Sequence, residues 1–333
     1  MALQCRISPH QLSYVVKMLS KAQRETVVNM GFGRMLTINT DSIPSKLAYF
    51  IMDSFDESSM EIKMQNGSVK VNETEVSNLL GLKNVGIVLD DKEKRKDAEL
   101  LKKKEWEALY KGKLITPANI VKRIEANMDD VSWKFKYDFL TVFMNTLVGV
   151  NMDGRCITDY FNKFDESTEV EDVNWCAYIC NKIRCCKDGW KKGRNNSSYN
   201  GPIRILTMLY ADMTVCGELN KERTNGPLQF WTKDMLSKRE KYEIVNGGFG
   251  RAIVKDSFKQ DEYKNDEMDV EMGDTKKDAN EVIWNEGSTS EKYADKKRDV
   301  KKKGEIETEM SGIKKVCMHI IFEMLSMHKC ICT

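Results

Sequence analysis

The chain has 333 residues with Lys+Arg 53 against Asp+Glu 51, a formal net charge of +2, so bulk charge predicts no polyanionic partner and only local clusters can. Charged residues at 31% and five prolines suit a helix-rich protein of one large or two ordinary domains. No basic-then-apolar leader and no run of about 18 apolar residues occurs, so secretion, membrane spanning and a membrane partner are not expected; the ten cysteines then read as reduced thiols in an intracellular protein.

Ser8-Pro9 predicts a helix start, serine as cap and proline in the first turn, with Leu12, Val15, Val16 and Leu19 inward. Ser20 and Gln23 have capping-box spacing, so a second helix runs to Met30 and stops at Gly31. Ile43-Pro44 begins a third, burying Leu47, Phe50 and Ile51. A β-hairpin is expected over about residues 60–71. With Asn66-Gly67 as a type I′ turn, Met64 faces Val69 and Ile62 faces Val71. Asn72 with Glu75 predicts another capping box, Val76, Leu79 and Leu80 share a face, and Gly81 suits a left-handed stop.

Between Asp90 and Lys104 the composition turns basic: Lys92, Lys94, Arg95 and Lys96, then Lys102, Lys103 and Lys104. This reads either as a solvated helix face or mobile loop, or as a nuclear-import or phosphate-contacting patch. Trp106, Leu109 and Tyr110 return to helical spacing, and Thr116-Pro117 starts a helix through Ile120, Val121 and Ile124. Val131 to Val150 is the most hydrophobic stretch and predicts a central core helix, capped by Asp129-Asp130 and ending at Gly149. Its aromatics read as core and not as a base-stacking platform. Further helices are expected over Val173–Ile183, Ile203–Leu209 and Trp231–Ile244, the last closing at Gly247-Gly248. The segment Tyr199 to Tyr210 and the hairpin are expected to be structural.

Past Val254 the apolar residues thin out. Residues 261–291 carry eleven carboxylates against three lysines, and residues 292–303 carry seven cations against two carboxylates. Opposite charge blocks with little to bury predict a disordered tail. Within it Lys296, Lys297, Arg298, Lys301, Lys302 and Lys303 form the better import-signal candidate. The expected organisation is a mostly helical region 1–254, a disordered acidic-then-basic tail 255–312, and a short amphipathic Cys- and Met-rich end 313–333. The fold class is mainly α: a multi-helix domain with one small hairpin and a charged tail.

Candidate chemistry is sparse. The three histidines are His10, His319 and His328, so a Cys–His or Ser–His nucleophile pair must borrow one from an end of the chain. Cys176, Cys180, Cys185 and Cys186 cluster, but adjacent cysteines rarely ligate one zinc, and Cys176 and Cys180 lie one helical turn apart as core residues do. Cys317, His319, His328, Cys330 and Cys332 sit among apolar residues and read as a short amphipathic helix. Gly31-Phe32-Gly33-Arg34 recurs as Gly248-Phe249-Gly250-Arg251; both read as turns at helix ends and not as phosphate cradles. No metal, no cofactor and no catalytic residue is expected.

The order of several landmarks resembles a known family. They are Gly31-Phe32-Gly33, Ile43-Pro44-Ser45-Lys46-Leu47, Gln65-Asn66-Gly67 with Glu75-Val76, and Leu79-Leu80-Gly81-Leu82. Asn174-Trp175-Cys176, Tyr199-Asn200-Gly201-Pro202 with Leu206 and Tyr210, and Arg239-Glu240-Lys241 before Gly247-Gly248-Phe249-Gly250 continue the series. Over residues 8–251 the chain is similar to the aminotransferase-like plant mobile domain proteins and to the non-catalytic amino-terminal regions of plant SUMO-type (ubiquitin-like) proteases. The resemblance implies a helical domain, a nuclear location and a transposon-related origin. It does not supply the protease's catalytic histidine, aspartate and cysteine.

The function expected is thus a non-enzymatic nuclear interaction module that binds a protein or chromatin partner. Direct nucleic-acid binding through the two lysine-rich clusters is the first alternative. A truncated member of the protease family lacking its catalytic domain is the second.

Overall fold

A computed structural model describes residues 2–3, 10–40, 42–89, 100–149, 151, 153–187, 190, 199, 201–217, 219 and 225–255. The predicted tail, the import-signal candidate within it, Lys92–Lys96 and the Ser8-Pro9 start lie outside the described residues.

Local signals set most helix ends. Helix α1 (His10–Met18) buries Leu12, Val15 and Val16. Helix α2 (Lys21–Asn29) has the full capping box: Ser20 Oγ accepts from Gln23 N–H, and the Gln23 side chain accepts from Ser20 N–H. Helix α3 (Ser45–Ser54) follows Pro44 with no side-chain cap of its own. Its exposed donors are met from afar, where the Glu240 carboxylate accepts Leu47 N–H at 2.8 Å.

Strands β1 (Phe55–Asp56), β2 (Glu61–Met64) and β3 (Gly67–Lys70) form an antiparallel sheet in that order. The hairpin is present but its register is two residues from the expected one: Met64 faces Gly67 and Ile62 faces Val69. The turn is therefore Gln65-Asn66, and no residue in it has positive φ, so it is not type I′. Gln65 N–H is committed to Gly250 O at 2.9 Å, a tertiary contact that fixes the turn. A slip of two keeps every side chain on its face, so Ile62, Val69 and Val71 are buried as the alternation requires. The edge strand β1 was not expected.

Helix α4 (Glu73–Leu80) is capped by Asn72 Oδ1, which accepts Glu75 N–H at 2.9 Å, and ends at left-handed Gly81. The reciprocal half of that capping box is absent, the Glu75 carboxylate taking Asn78 Nδ2 instead. Helices α5 (Leu101–Ala108) and α6 (Pro117–Ala126, capped by Thr116) lead to the central helix α7 (Trp133–Phe143). Ser132 caps α7, not Asp129-Asp130; Asp130 instead holds the serine's N–H and hydroxyl. The last turn loosens into a π segment, Met144–Val148, before Gly149. From Phe139 to Val148 every residue is buried.

Helix α8 (Trp175–Arg184) is capped by Asn174, and α9 (Ile203–Met213) runs into strand β4 (Thr214–Val215). A short α10 (Pro227–Phe230) precedes α11 (Lys233–Val245), and β5 (Ile253–Val254) pairs with β4. Trp231, expected in the last helix, lies between α10 and α11, and Thr232 is the cap.

The protein is mainly α, with eleven α-helices among the described residues. Helix α6 packs on α7 and α1 on α6; α3 and α4 pack on α9, and α4 also on α8. The aromatics are core: Phe32 meets Phe139 and Phe143 edge-on, and Tyr137 stacks on Phe161 at 4.1 Å. Each fully buried ring or branched aliphatic contributes about 1.5–3 kcal/mol. No helix among the described residues is long and apolar enough to cross a membrane.

Candidate interaction surface

Helix α5 carries the described part of the first lysine cluster. Lys102 Nζ bonds Glu169 Oε1 at 2.9 Å, and Lys103 Nζ bonds Asn162 Oδ1 at 2.6 Å with Glu107 at 3.4 Å. Lys136 joins the group through Glu171 at 2.6 Å. Lys102 and Lys103 are half-buried and turned onto the protein's own surface; Lys104 is exposed and also has a partner within the chain. Partly exposed pairs of this kind contribute about 0–1 kcal/mol each but lower the positive potential offered to a phosphate.

The inward face of α5 leads to a buried polar hub that no local motif announces. Asp138, fully buried on α7, accepts Trp106 Nε1–H at 2.7 Å and Tyr110 O–H at 2.6 Å, and Arg123 from α6 donates to its other oxygen. Arg123 also reaches Asp130 at 3.1 Å. Burial pushes the Asp138 carboxyl up to about 6, against the pull of Arg123, Tyr110 and Trp106, which favour the anion. Burial and the neighbouring Asp138 charge hold the Tyr110 phenol protonated. Every donor around the carboxylate belongs to the fold, so the hub fastens α5, α6 and α7 together.

An open cleft of about 730 Å³ lies near this hub, lined by Glu107, Lys113, Leu114, Arg155, Cys156 and Thr158 among others. Its charges are mixed, and Arg155 is already paired with Asp153 at 2.5 Å. Burial, and then the charge of Asp138, raises the Cys156 thiol well above its usual range. A neutral buried thiol is a poor nucleophile.

The other buried cysteines among the described residues behave alike. Burial pushes the thiols of Cys176 and Cys180 up to about 12 and those of Cys186 and Cys216 up to about 11; Cys185 is exposed. No group of three or more potential metal ligands comes together among the described residues. His10 lies on α1 against Tyr14; His319 and His328 are outside the described residues.

The repeated Gly-Phe-Gly-Arg stretches follow α2 and α11, as turns at helix ends. In each the phenylalanine is the anchor: Phe32 is 1% exposed, and Phe249 stacks on Phe50 at 5.4 Å. Behind the second lies another hub. Arg239, fully buried on α11, donates from Nε to Glu243 at 2.5 Å, and its two outer nitrogens bond Ala211 O, Thr214 O and Thr214 Oγ1. Glu243 also accepts from Tyr210 O–H at 2.7 Å and Gly250 N–H at 3.3 Å. The resemblance had drawn attention to Arg239 and Tyr210 separately; only the fold shows that they share one carboxylate.

What the fold leaves outward is apolar as well as charged. Val85, Ile87 and Val88, between α4 and the lysine-rich segment, are 69%, 47% and 59% exposed. They form a short exposed apolar strip on the surface.

A search of curated proteins finds no match, and neither does a search of solved structures. A sequence model of one family matches residues 5–207, from before α1 into α9. The chain therefore belongs to the family described as a domain of unknown function, DUF8566.

Proposed function

We propose that this chain is a non-enzymatic interaction module that binds a protein or chromatin partner in the nucleus. The observation that carries the reading is a division of labour. The described buried hubs, Asp138 and Arg239–Glu243, are consumed by internal bonds, while Val85, Ile87 and Val88 face outward. The raised thiols of the buried cysteines support a non-catalytic role. Nuclear location and a transposon-related origin rest on the resemblance to plant mobile domain proteins and protease amino-terminal regions.

Direct nucleic-acid binding is the competing reading. It draws on Lys102–Lys104, each of which has a partner within the chain, and on Lys92–Lys96 and Lys296–Lys303. Binding of full-length protein and of residues 1–254 to random-sequence DNA and RNA at low and high salt separates the two. A protein-binding module gives no retention in either form. Tight binding that falls steeply with salt would make this a nucleic-acid module, because cation–phosphate contacts release counterions.

A further inference from the structure

The sequence holds four Asn-Gly pairs, at residues 66–67, 200–201, 225–226 and 246–247. In such a pair the glycine nitrogen has no side chain beside it to keep the preceding carboxamide away. What decides whether the two groups meet is how each is held.

The structure separates the pairs. Asn246 closes α11, and its Nδ2 donates to Tyr242 O at 2.8 Å, so its carboxamide is tied back onto the preceding turn. Asn66 stands in the two-residue turn between β2 and β3, where it and Gly67 are both exposed. Its carboxamide makes no hydrogen bond among the described residues. Met64 and Gly67 form the last pair of the ladder, so fraying of that one pair frees the Gly67 nitrogen. Asn225, exposed before α10, has a similarly loose carboxamide, and Asn200 lies outside the described residues.

We propose that Asn66 is a self-modification site, converted by its own chain and water to aspartate and isoaspartate, and that the isoaspartate form releases the hairpin turn from Gly250. The Gly67 nitrogen attacks Asn66 Cγ. As the N–Cγ bond forms, Cγ–Nδ2 breaks, and ammonia leaves with the proton from the Gly67 nitrogen; the product is a cyclic succinimide. Holding both groups on adjacent residues is what makes the attack feasible. Water then opens the ring. Addition at Cγ gives aspartate in the ordinary chain. Addition at the main-chain carbonyl carbon leaves the chain running through Cγ, one methylene longer, and no oxidant or reductant is needed. That extra atom falls between two fixed points. Gln65 N–H reaches Gly250 O at 2.9 Å, and Gly67 lies against Val254, where a Cβ would stand 3.6 Å from Cγ2. A two-residue turn has no slack to lengthen and still keep both the Met64–Gly67 pair and the bond to Gly250. The inference is independent of what the module binds.

Full-length protein held in mildly alkaline buffer tests it, sampled by peptide mapping in which asparagine, aspartate and isoaspartate forms elute apart. Asn66 should convert about fivefold faster than Asn246, roughly what one retained hydrogen bond is worth in rate. Amide exchange at Gln65 should be at least about tenfold faster in the isoaspartate form than in the unconverted chain. Asn66→Gln keeps a carboxamide but needs a larger ring, so Gln65 should stay protected over the same time, whatever happens at Asn225. Freshly prepared Asn66→Asp carries the new charge without the extra main-chain atom, and should protect Gln65 as the wild type does. Equal conversion at Asn66 and Asn246, or none at Asn66, overturns the site. Unchanged exchange at Gln65 in the isoaspartate form overturns the release of the turn. Fast exchange in fresh Asn66→Asp overturns it as well, by assigning the effect to charge.

Discussion

Asp138 and Arg239 show what a single buried charge does here. Asp138 collects Trp106, Tyr110 and Arg123, so Asp138→Ala leaves two buried donors without their acceptor and the half-buried Arg123 with Asp130 alone. The expected loss is about 2–4 kcal/mol in urea unfolding, from the two donors left unsatisfied. The pH dependence has a definite sign. Because the folded carboxyl sits at about 6, above its unfolded value, its contribution to stability is greatest below the unfolded pKa and is lost as pH rises through about 6. Asp138→Asn should remove that part of the decline, measurable as a flatter midpoint-against-pH curve. Arg239 and Glu243 bond directly at 2.5 Å within one helix. Arg239→Met and Glu243→Leu should therefore be non-additive in a double-mutant cycle, by about 0.5–3 kcal/mol. Additive losses would mean the two side chains act separately.

At the scale of the element, local signals and tertiary ones divide cleanly. The Ser20–Gln23 box, Thr116-Pro117 and the Gly81 stop were legible because each needs only residues within one turn. The hairpin faces were legible for the same reason, since alternation fixes them, but the register was not: it depends on Gly250, far along the chain. The cap of α3 was invisible because it is Glu240. Neither hub could be read, since their partners lie up to 40 residues apart. The Val85–Val88 strip was passed over, because a short apolar run reads equally well as core; only its exposure marks it. Two substitutions check the local signals. Ser20→Ala should cost about 1 kcal/mol or somewhat more, since Ser20 Oγ also donates to Met128 O at 2.8 Å. Gly81→Ala should cost more than about 1 kcal/mol, as φ is +69° and the added Cβ would stand 2.7 Å from Arg34 Cβ. Both are read as shifts in denaturant midpoint.

For the whole molecule, the family match and the folded core end in different places. The match stops at residue 207, inside α9, yet Leu228, Trp231, Leu236 and Arg239 are all 0% exposed. The later segment also reaches back by hydrogen bonds, through Thr40 Oγ1 to Trp231 O, Leu47 N–H to Glu240 and Gln65 N–H to Gly250 O, and by Phe249 stacked on Phe50. It packs on the same core as α3, α4 and the hairpin, so the fold depends on residues beyond the match. Removing it would uncover the α3 and α4 faces packed on α9 and leave the α3 amino terminus uncapped. The measurement to make is urea unfolding of residues 1–255 and 1–207 side by side, followed by circular dichroism. A single cooperative transition for 1–255 and none for 1–207 is the predicted result. A cooperative transition in 1–207 with an unchanged midpoint would contradict it, and would make the Arg239 hub an appendage to a fold complete without it.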